Sequence, residues 1–466
     1  MKLLKCILIC LAIFISWPNS GLAEEEEKEE KKVIKLPEMV VIESQPGVKI
    51  TPEKTIILMD EFKKPGQVRT LTDVLTEIGG IDVQRANPLM PSPGDEVSIR
   101  GLNEGRMVIE IDGRRINHAG HYGRYVVDWS TLNIDDIERI EIIRGGHSVL
   151  HPFAIGGVIN IITKKGKRTS KVKPDISIKG GYSRYGTYNS SVSITGGLYN
   201  LIGYHFSASK GETDGYLRHN YQHTYNINGH LTFFLPHDAT FSLGIKYSDV
   251  DYGFPVINDP KRPDYDSDYP DFLPTADQLR HLPPAGQLPK DNPHWEKHTT
   301  YLDGILHLPL GPGNIKLHGF LTEGRRWISM WRRNTFIKDL FVDDRTKGII
   351  CEYRDIRFNF LSRHSLTLGF EYQELGWPAK NPIIYEVRSG YLQDIIQIGA
   401  WTFTPGLRYY HLDMDTYYSR FGAGWPIPGK KERDSDFFPS FKVTFQATPT
   451  TALYAAISRS YRLPCP

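Results

Sequence analysis

Two patterns of apolar and polar positions divide the chain. In the first third, apolar residues come in short β-branched runs such as Ile137–Ile143 and Val158–Ile162, with the glycine doublets Gly145-Gly146 and Gly156-Gly157 between them. Such runs predict short buried strands, and the doublets predict tight turns with close backbone approach. One stretch is helical in period: Leu71, Val74, Leu75 and Ile78 recur on one face, Thr70 and Asp73 form a capping box, and Gly79-Gly80 ends the turn. A strand is predicted to start at Ile81-Asp82-Val83-Gln84. From about Asp175 onward the period changes to two, as in Tyr204, Phe206 and Ala208, in Leu366, Leu368, Phe370 and Tyr372, and in Phe441, Val443 and Phe445. The first such strand pair is Asp175–Ser183 with Thr187–Gly197. The chain therefore reads as mainly β, a small α+β domain followed by a long antiparallel β region. Period two marks any half-buried strand, so a soluble β-sandwich and a membrane barrel both satisfy it.

Composition narrows the choice. Beyond the N-terminus there is no run of 18 apolar residues, yet aromatics make up 12% of the chain, with 25 Tyr and 42 Gly. A membrane protein without apolar helices has to be a closed barrel, because lipid offers no partner to a free backbone group. Residues 1–23 read as a secretory signal peptide: Lys2 and Lys5, an apolar run from Cys6 to Trp17, and the small-residue ending Gly21-Leu22-Ala23. Cys6 and Cys10 leave with it, and Cys351 and Cys465 are too few and too separated for a disulfide framework. The formal charge of +2 falls to about zero without Lys2 and Lys5, so no basic surface for nucleic acid is expected. A phosphate cradle at the glycine doublets is excluded, since no Gly-Lys-Ser/Thr closes it.

Residues 134–164, from Ile134-Asp135-Asp136-Ile137-Glu138-Arg139-Ile140-Glu141 through Arg144-Gly145 to Gly156-Gly157-Val158-Ile159-Asn160, resemble the plug signature of TonB-dependent outer-membrane receptors. Val97–Leu102, which contains Arg100-Gly101, and Met107–Arg114, which contains Asp112-Gly113, match two further plug strands in the family's order. His147–Phe153 departs from the family pattern, which places proline after Arg-Gly and Tyr-Gly where His151-Pro152 stand. The resemblance implies a plug over 44–168 and a transmembrane antiparallel β-barrel over 169–466, incomplete here, with a proline- and aspartate-rich extracellular loop at 251–298. Residues 24–36 are charged and are expected to be a disordered leader. Pro37-Glu38-Met39-Val40-Val41-Ile42-Glu43 resembles the TonB box, an extended strip suited to strand addition on a partner's sheet edge.

Such a protein is a transporter and not an enzyme, with no cofactor implied. It would take up a scarce iron-siderophore, haem or cobalamin-like ligand across the outer membrane, driven by TonB and, through it, ExbB and ExbD. Arg100, Glu138, Arg139, Glu141 and Arg144 are expected to pair with barrel-wall charges. Ligand contacts are expected from the loops Asn87–Glu96 and Asn117–Arg124, the latter carrying His118, His121, Tyr122 and Arg124, against the plainer reading of a solvated loop. Asp259, Asp264, Asp266, Asp268 and Asp271 could bind calcium, although they lack an EF-hand order. Twelve or thirteen strand candidates fall short of the about 22 that enclose a plug, so a truncated product is expected. The rival readings are a non-transporting fragment and a secreted β-sandwich binding protein.

Overall fold

The computed structural model describes residues 42–461 except 46, 52–53, 63–68, 117, 120–124, 146–147, 152, 274–292, 333–334, 378–382, 417–429 and 449–450. The expected signal peptide and leader, and residues 37–41 of the expected TonB box, lie outside them. The N-terminal domain is built on a seven-stranded sheet of β1 (Ile42–Gln45), β2 (Val48–Ile50), β3 (Thr55–Leu58), β6 (Met107–Ile111), β7 (Arg114–Arg115), β10 (Ile137–Arg144) and β11 (Gly157–Thr163). Their order is β1-β2-β3-β10-β11-β6-β7, with β11 parallel to β6 and every other pair antiparallel. Two small hairpins flank it: β4 (Ile81–Gln84) with β5 (Glu96–Ile99), and β8 (His118–Ala119) with β9 (Tyr125–Val126).

The β-branched runs become the centre of this domain because one face of the sheet is sealed by apolar packing. Ile140, Ile142, Ile159 and Ile161 are at most 1% exposed, packed with Ile57, Ile99, Ile109 and Trp129. A one-turn helix α1 (Met59–Phe62) and α2 (Leu71–Thr76) close one side. The capping box forms as expected: Asp73 N donates to Thr70 Oγ1 at 3.2 Å, and Thr70 N donates to Asp73 Oδ2 at 2.7 Å.

Arg100-Gly101 and Asp112-Gly113 each adopt two successive positive φ values, 52° and 77°, then 53° and 85°. Each joins residues paired directly across it, Ile99 with Leu102 and Ile111 with Arg114, the geometry of a type I′ hairpin. At Gly157 φ is 146°, and a Cβ there would lie 2.5 Å from the Ile143 carbonyl oxygen, so β10 and β11 meet only around glycine.

The C-terminal region is one sheet of thirteen antiparallel strands in chain order. They are β12 (Asp175–Tyr182), β13 (Tyr188–Leu198), β14 (Ile202–Thr213), β15 (Gln222–Phe234), β16 (Thr240–Gly253), β17 (His294–Leu310), β18 (Gly313–Arg332), β19 (Thr335–Phe360), β20 (Ser362–Trp377), β21 (Ile383–Ile398), β22 (Trp401–Thr416), β23 (Lys430–Thr448) and β24 (Thr451–Ser458). The irregular stretch expected at 251–298 is shorter, since pairing continues to Gly253 and resumes at His294. The predicted first strand pair appears as β12 and β13.

The direction of the alternation decides against a sandwich. In β14 Phe206 is 44% exposed while His205 and Ser207 are buried, and in β23 Phe441 is 42% exposed while Ser440 and Lys442 are buried. Apolar side chains face outward and polar ones inward, the inverse of a soluble sandwich and the pattern lipid requires. Among the described residues no helix is long and apolar enough to cross a membrane; these strands carry the lipid-facing band. Paired aromatics sit at one edge of it, as in Phe233 with Phe241 and Trp401 with Phe445. Replacing Gly157 with alanine should destabilise the N-terminal domain by about 1–3 kcal/mol, seen as a lower urea midpoint of the near-ultraviolet circular dichroism of the detergent-purified chain.

Candidate functional site

The large sheet curves around the N-terminal domain and meets it through polar groups. At the centre of that contact stands Arg114, which the Asp112-Gly113 turn delivers to the wall and which is 1% exposed. Its Nε lies 2.6 Å from Asp303 Oδ1, Nη2 donates to Asp303 Oδ2 at 3.2 Å, and Nη1 donates to Thr322 Oγ1 at 2.9 Å. The rings of Tyr301 and Phe320 flank the guanidinium at 5.3 and 5.5 Å. His318 Nε2 lies 3.0 Å from Asp303 Oδ1. Beside it, Lys316 Nζ donates to the Asp112 carbonyl at 3.2 Å. The Asp112 carboxylate accepts from Thr163 Oγ1 at 2.6 Å and pairs with Lys165 at 3.1 Å. Burial alone would raise its pKa, but Lys165 and Thr163 hold it below the ordinary carboxylate value.

A second row of contacts comes from two 3₁₀ turns, Trp129–Thr131 and Ile134–Asp136, capped by Asp128 and Asn133. The caps leave three acids facing the wall. Asp128 pairs with Lys297 at 3.2 Å, Asp135 pairs with Lys179 and accepts from Ser191 Oγ at 2.8 Å, and Asp136 meets His205 Nε2 at 3.2 Å and accepts from Ser207 Oγ. Burial opposes ionisation of Asp136, yet His205, Lys246 and Ser207 hold its pKa below the ordinary value. On the other flank Arg408 Nη1 donates to the Val149 carbonyl at 2.8 Å while pairing with Glu371. There Phe153 packs edge-on to Tyr410, ring centres 6.1 Å apart. Between β6, β10 and β11 and the wall runs a cavity of about 550 Å³ lined by charged groups that include Glu110, Arg115, Lys316 and Glu352.

Family models match both regions: the TonB-dependent receptor plug domain over residues 48–158, and the TonB-dependent receptor-like β-barrel over 169–464. The chain belongs to the TonB-dependent receptor family. Among solved structures, the unliganded ferric citrate transporter FecA aligns with a TM-score of 0.68 at 18% identity, covering 87% of this chain and 62% of that one. The ferric enterobactin receptor PfeA of Pseudomonas aeruginosa aligns at 0.65 and 17%, covering 89% and 63%. The iron transporter FrpB of Neisseria meningitidis aligns at 0.68 and 14%, covering 88% and 64%. At these identities the likeness is one of fold, and the chain spans a little over 60% of the length of these receptors. The family is one of outer-membrane receptors, so the inner domain is a plug and the sheet that wraps it is barrel wall.

The sequence named the wrong charges for the plug–wall contact. Arg139 pairs with Glu138 at 2.7 Å and Glu141 at 3.0 Å, Glu141 pairs with Lys54 at 2.7 Å, and Arg144 donates to Thr55 Oγ1 at 2.5 Å and to the Gly79 carbonyl at 3.2 Å. These residues brace the plug internally, because β10 is flanked on both edges by plug strands. Arg100 sits exposed in its turn, and Asn160 Oδ1 accepts from Gly113 N at 3.1 Å. Gly145 takes φ 88°, and Gly156 packs against Leu102. The contacts to the wall come instead from Arg114 and from the aspartates of the 3₁₀ turns, Asp128 ahead of the signature and Asp135 and Asp136 at its start.

Of the expected TonB box, Ile42 and Glu43 open β1, paired with Ile50 and Lys49. His118 lies in β8, against β20, while His121, Tyr122 and Arg124 fall outside the described residues. The loop aspartates are spent on the loop itself: Asp264 pairs with Arg262, Asp266 Oδ1 accepts from Asp268 N, and Asp271 accepts from the Tyr265 hydroxyl. Among the described residues they form no cluster of three ligands.

Two buried acids, Glu104 and Asp95, hold plug loops in place. Glu104 accepts from Val97 N at 3.0 Å, Val127 N at 3.0 Å and Trp129 Nε1 at 2.7 Å, tying three plug segments together. Burial outweighs these three donors and pushes its pKa up to about 7. Asp95 accepts from Ala86 N and Ser92 N across the 85–95 loop, and burial raises it to about 6. Nothing in Asn103-Glu104-Gly105 distinguishes Glu104 from an exposed turn residue.

Arg114→Ala leaves the largely buried Asp303 carboxylate with His318 but without its guanidinium partner and should cost about 3–5 kcal/mol of plug retention, measured as the urea concentration that exposes the plug to protease. Asp303→Asn added to it should recover part of the loss. Because the folded state holds the Glu104 proton more tightly than the unfolded chain, its stabilisation is full below about pH 4.5 and is lost as pH rises through about 7. The urea midpoint should therefore fall between pH 5 and pH 8, and Glu104→Gln should flatten that dependence.

Proposed function

We propose that this chain is the plug and adjoining barrel portion of a receptor that takes a scarce iron chelate, or a ligand of the haem or cobalamin class, across the outer membrane into the periplasm. One observation carries the reading. The plug is apolar inside, yet it meets the wall through hydrogen-bonded ion pairs in a polar lumen. Such a contact can be exchanged for water, so the plug is a body that can shift while the wall stays intact. Tight capture supplies the reason to move it: a nanomolar complex sits near −12 kcal/mol and releases cargo only if work is done on it.

That work would enter through residues 37–43, which precede and begin the edge strand β1, with TonB adding its own strand there and ExbB and ExbD acting through TonB. Residues 1–23 would direct export and be removed. The names of the solved relatives, which speak of ferric citrate, ferric enterobactin and iron, favour an iron chelate as cargo. His118, His121, Tyr122 and Arg124 are the proposed ligand contacts on the plug. The chain works by binding and displacement, with no catalysed reaction.

The test is uptake of radioactive iron supplied as ferric citrate, ferric enterobactin or haem by cells carrying the gene at its native locus. Uptake of at least one probe should fall to background when residues 37–43 are deleted or TonB is absent, while surface binding persists. Uptake that survives the deletion would overturn the reading.

A further inference from the structure

The receptor's outward face carries a cluster that neither the lumen nor the plug uses. Along β16 the outward positions run Leu243, Ile245, Tyr247 and Asp249; the two aliphatics are 44% and 55% exposed and belong to the lipid-facing band. Directly opposite on β17, Ile245 pairs with Leu302, Tyr247 with Thr300 and Asp249 with His298. Asp249 and His298 therefore stand side by side just beyond the apolar band. Glu296, two residues from His298 on the same strand, points the same way.

The three side chains converge. One ligand atom from each of Asp249, Glu296 and His298 lies within 4.8 Å of the others. His298 Nε2 is 3.4 Å from Asp249 Oδ1 and 3.3 Å from Glu296 Oε1. It is fully buried as an atom and makes no hydrogen bond to either oxygen. The imidazole is held in place by Trp327, ring centres 4.6 Å apart, and by Tyr247 at 6.1 Å. Arg325, paired with His298 across β18, is drawn off by Glu323 at 2.9 Å.

We propose that Asp249, Glu296 and His298 form a binding site for a divalent transition-metal ion of the Zn²⁺ class on the outer surface of the barrel. For bonds of 2.0–2.1 Å, the edge of a tetrahedron of nitrogen and oxygen ligands is about 3.3 Å. Both distances from Nε2 already match that edge. An imidazole nitrogen with two carboxylates selects transition metals over Ca²⁺ or Mg²⁺, which favour all-oxygen shells. Two carboxylates with a neutral imidazole carry a charge that a dication cancels. The remaining position stays open to solvent, and the bound ion would clamp β16 to β17 where they leave the membrane. Since the cluster faces away from the lumen, this ion is a resident of the wall and is separate from the cargo.

The experiment is titration of the chelator-treated, detergent-purified chain with Zn²⁺, alongside Ca²⁺, by calorimetry, and with Co²⁺ by visible absorption. One Zn²⁺ equivalent should bind with an affinity lowered at least about tenfold by His298→Ala and by Asp249→Asn, and Co²⁺ should give tetrahedral d–d bands in the unsubstituted chain. Equal Zn²⁺ affinity in the unsubstituted chain and both variants, or the absence of tetrahedral Co²⁺ bands, would overturn the proposal. So would displacement of the Zn²⁺ by equimolar Ca²⁺.

Discussion

The structure turns on one requirement: a barrel whose outer face is given to lipid has to put its polar side chains inside, and a domain placed inside must then meet a polar wall. Arg114 is the sharpest instance. A buried guanidinium is costly unless its charge and its donors are matched, and Asp303, Thr322 and two aromatic rings supply that match. The aspartates of the two 3₁₀ turns repeat the solution toward β12, β14 and β17. The plug thus has two kinds of surface chemistry. Its strands pack on isoleucine, which fixes its internal shape, while its boundary is held by pairs whose partners water can replace.

Much of this architecture was legible in the sequence because it rests on local rules. The capping box at Thr70, the β-branched runs of β10 and β11, and the period-two strands all follow from residue-by-residue preferences that need no tertiary knowledge. The two hairpins at Arg100-Gly101 and Asp112-Gly113 are similar, since only a residue pair tolerant of positive φ can turn there. What the sequence left open was the direction of the alternation. Phe206 between His205 and Ser207 reads the same whether phenylalanine faces a core or lipid, and only the buried His205 settles it.

The site was harder to read, for a physical reason. Whether a charge faces the wall or a sister strand depends on which strands flank it. Arg139 and Glu141 share one face of β10, with buried Ile140 between them, and read like any exposed pair, but β3 and β11 on either side make their neighbours plug residues. Arg114 carries no local signal, because its importance comes from Asp303, 189 residues later. Glu104 likewise carries no local signal, because the three donors that converge on it come from two other segments, Val97 and Val127 with Trp129. The outward cluster at His298 is distributed in the same way, over two strands separated by a long loop.

The position of β1 at the end of the plug sheet sets the mechanics of any force applied from the N-terminal side. Within the plug sheet β1 pairs with β2 alone, and β2 is followed in both sheet order and chain order by β3. A load on the leading end would meet these strands one after another, breaking a few backbone bonds at a time in the manner of a zipper. The long pairing of β10 with β11 lies last in that series and would be spared until the rest had come away. The plug is therefore stiff against random agitation, which must break many bonds together, and weak along one direction.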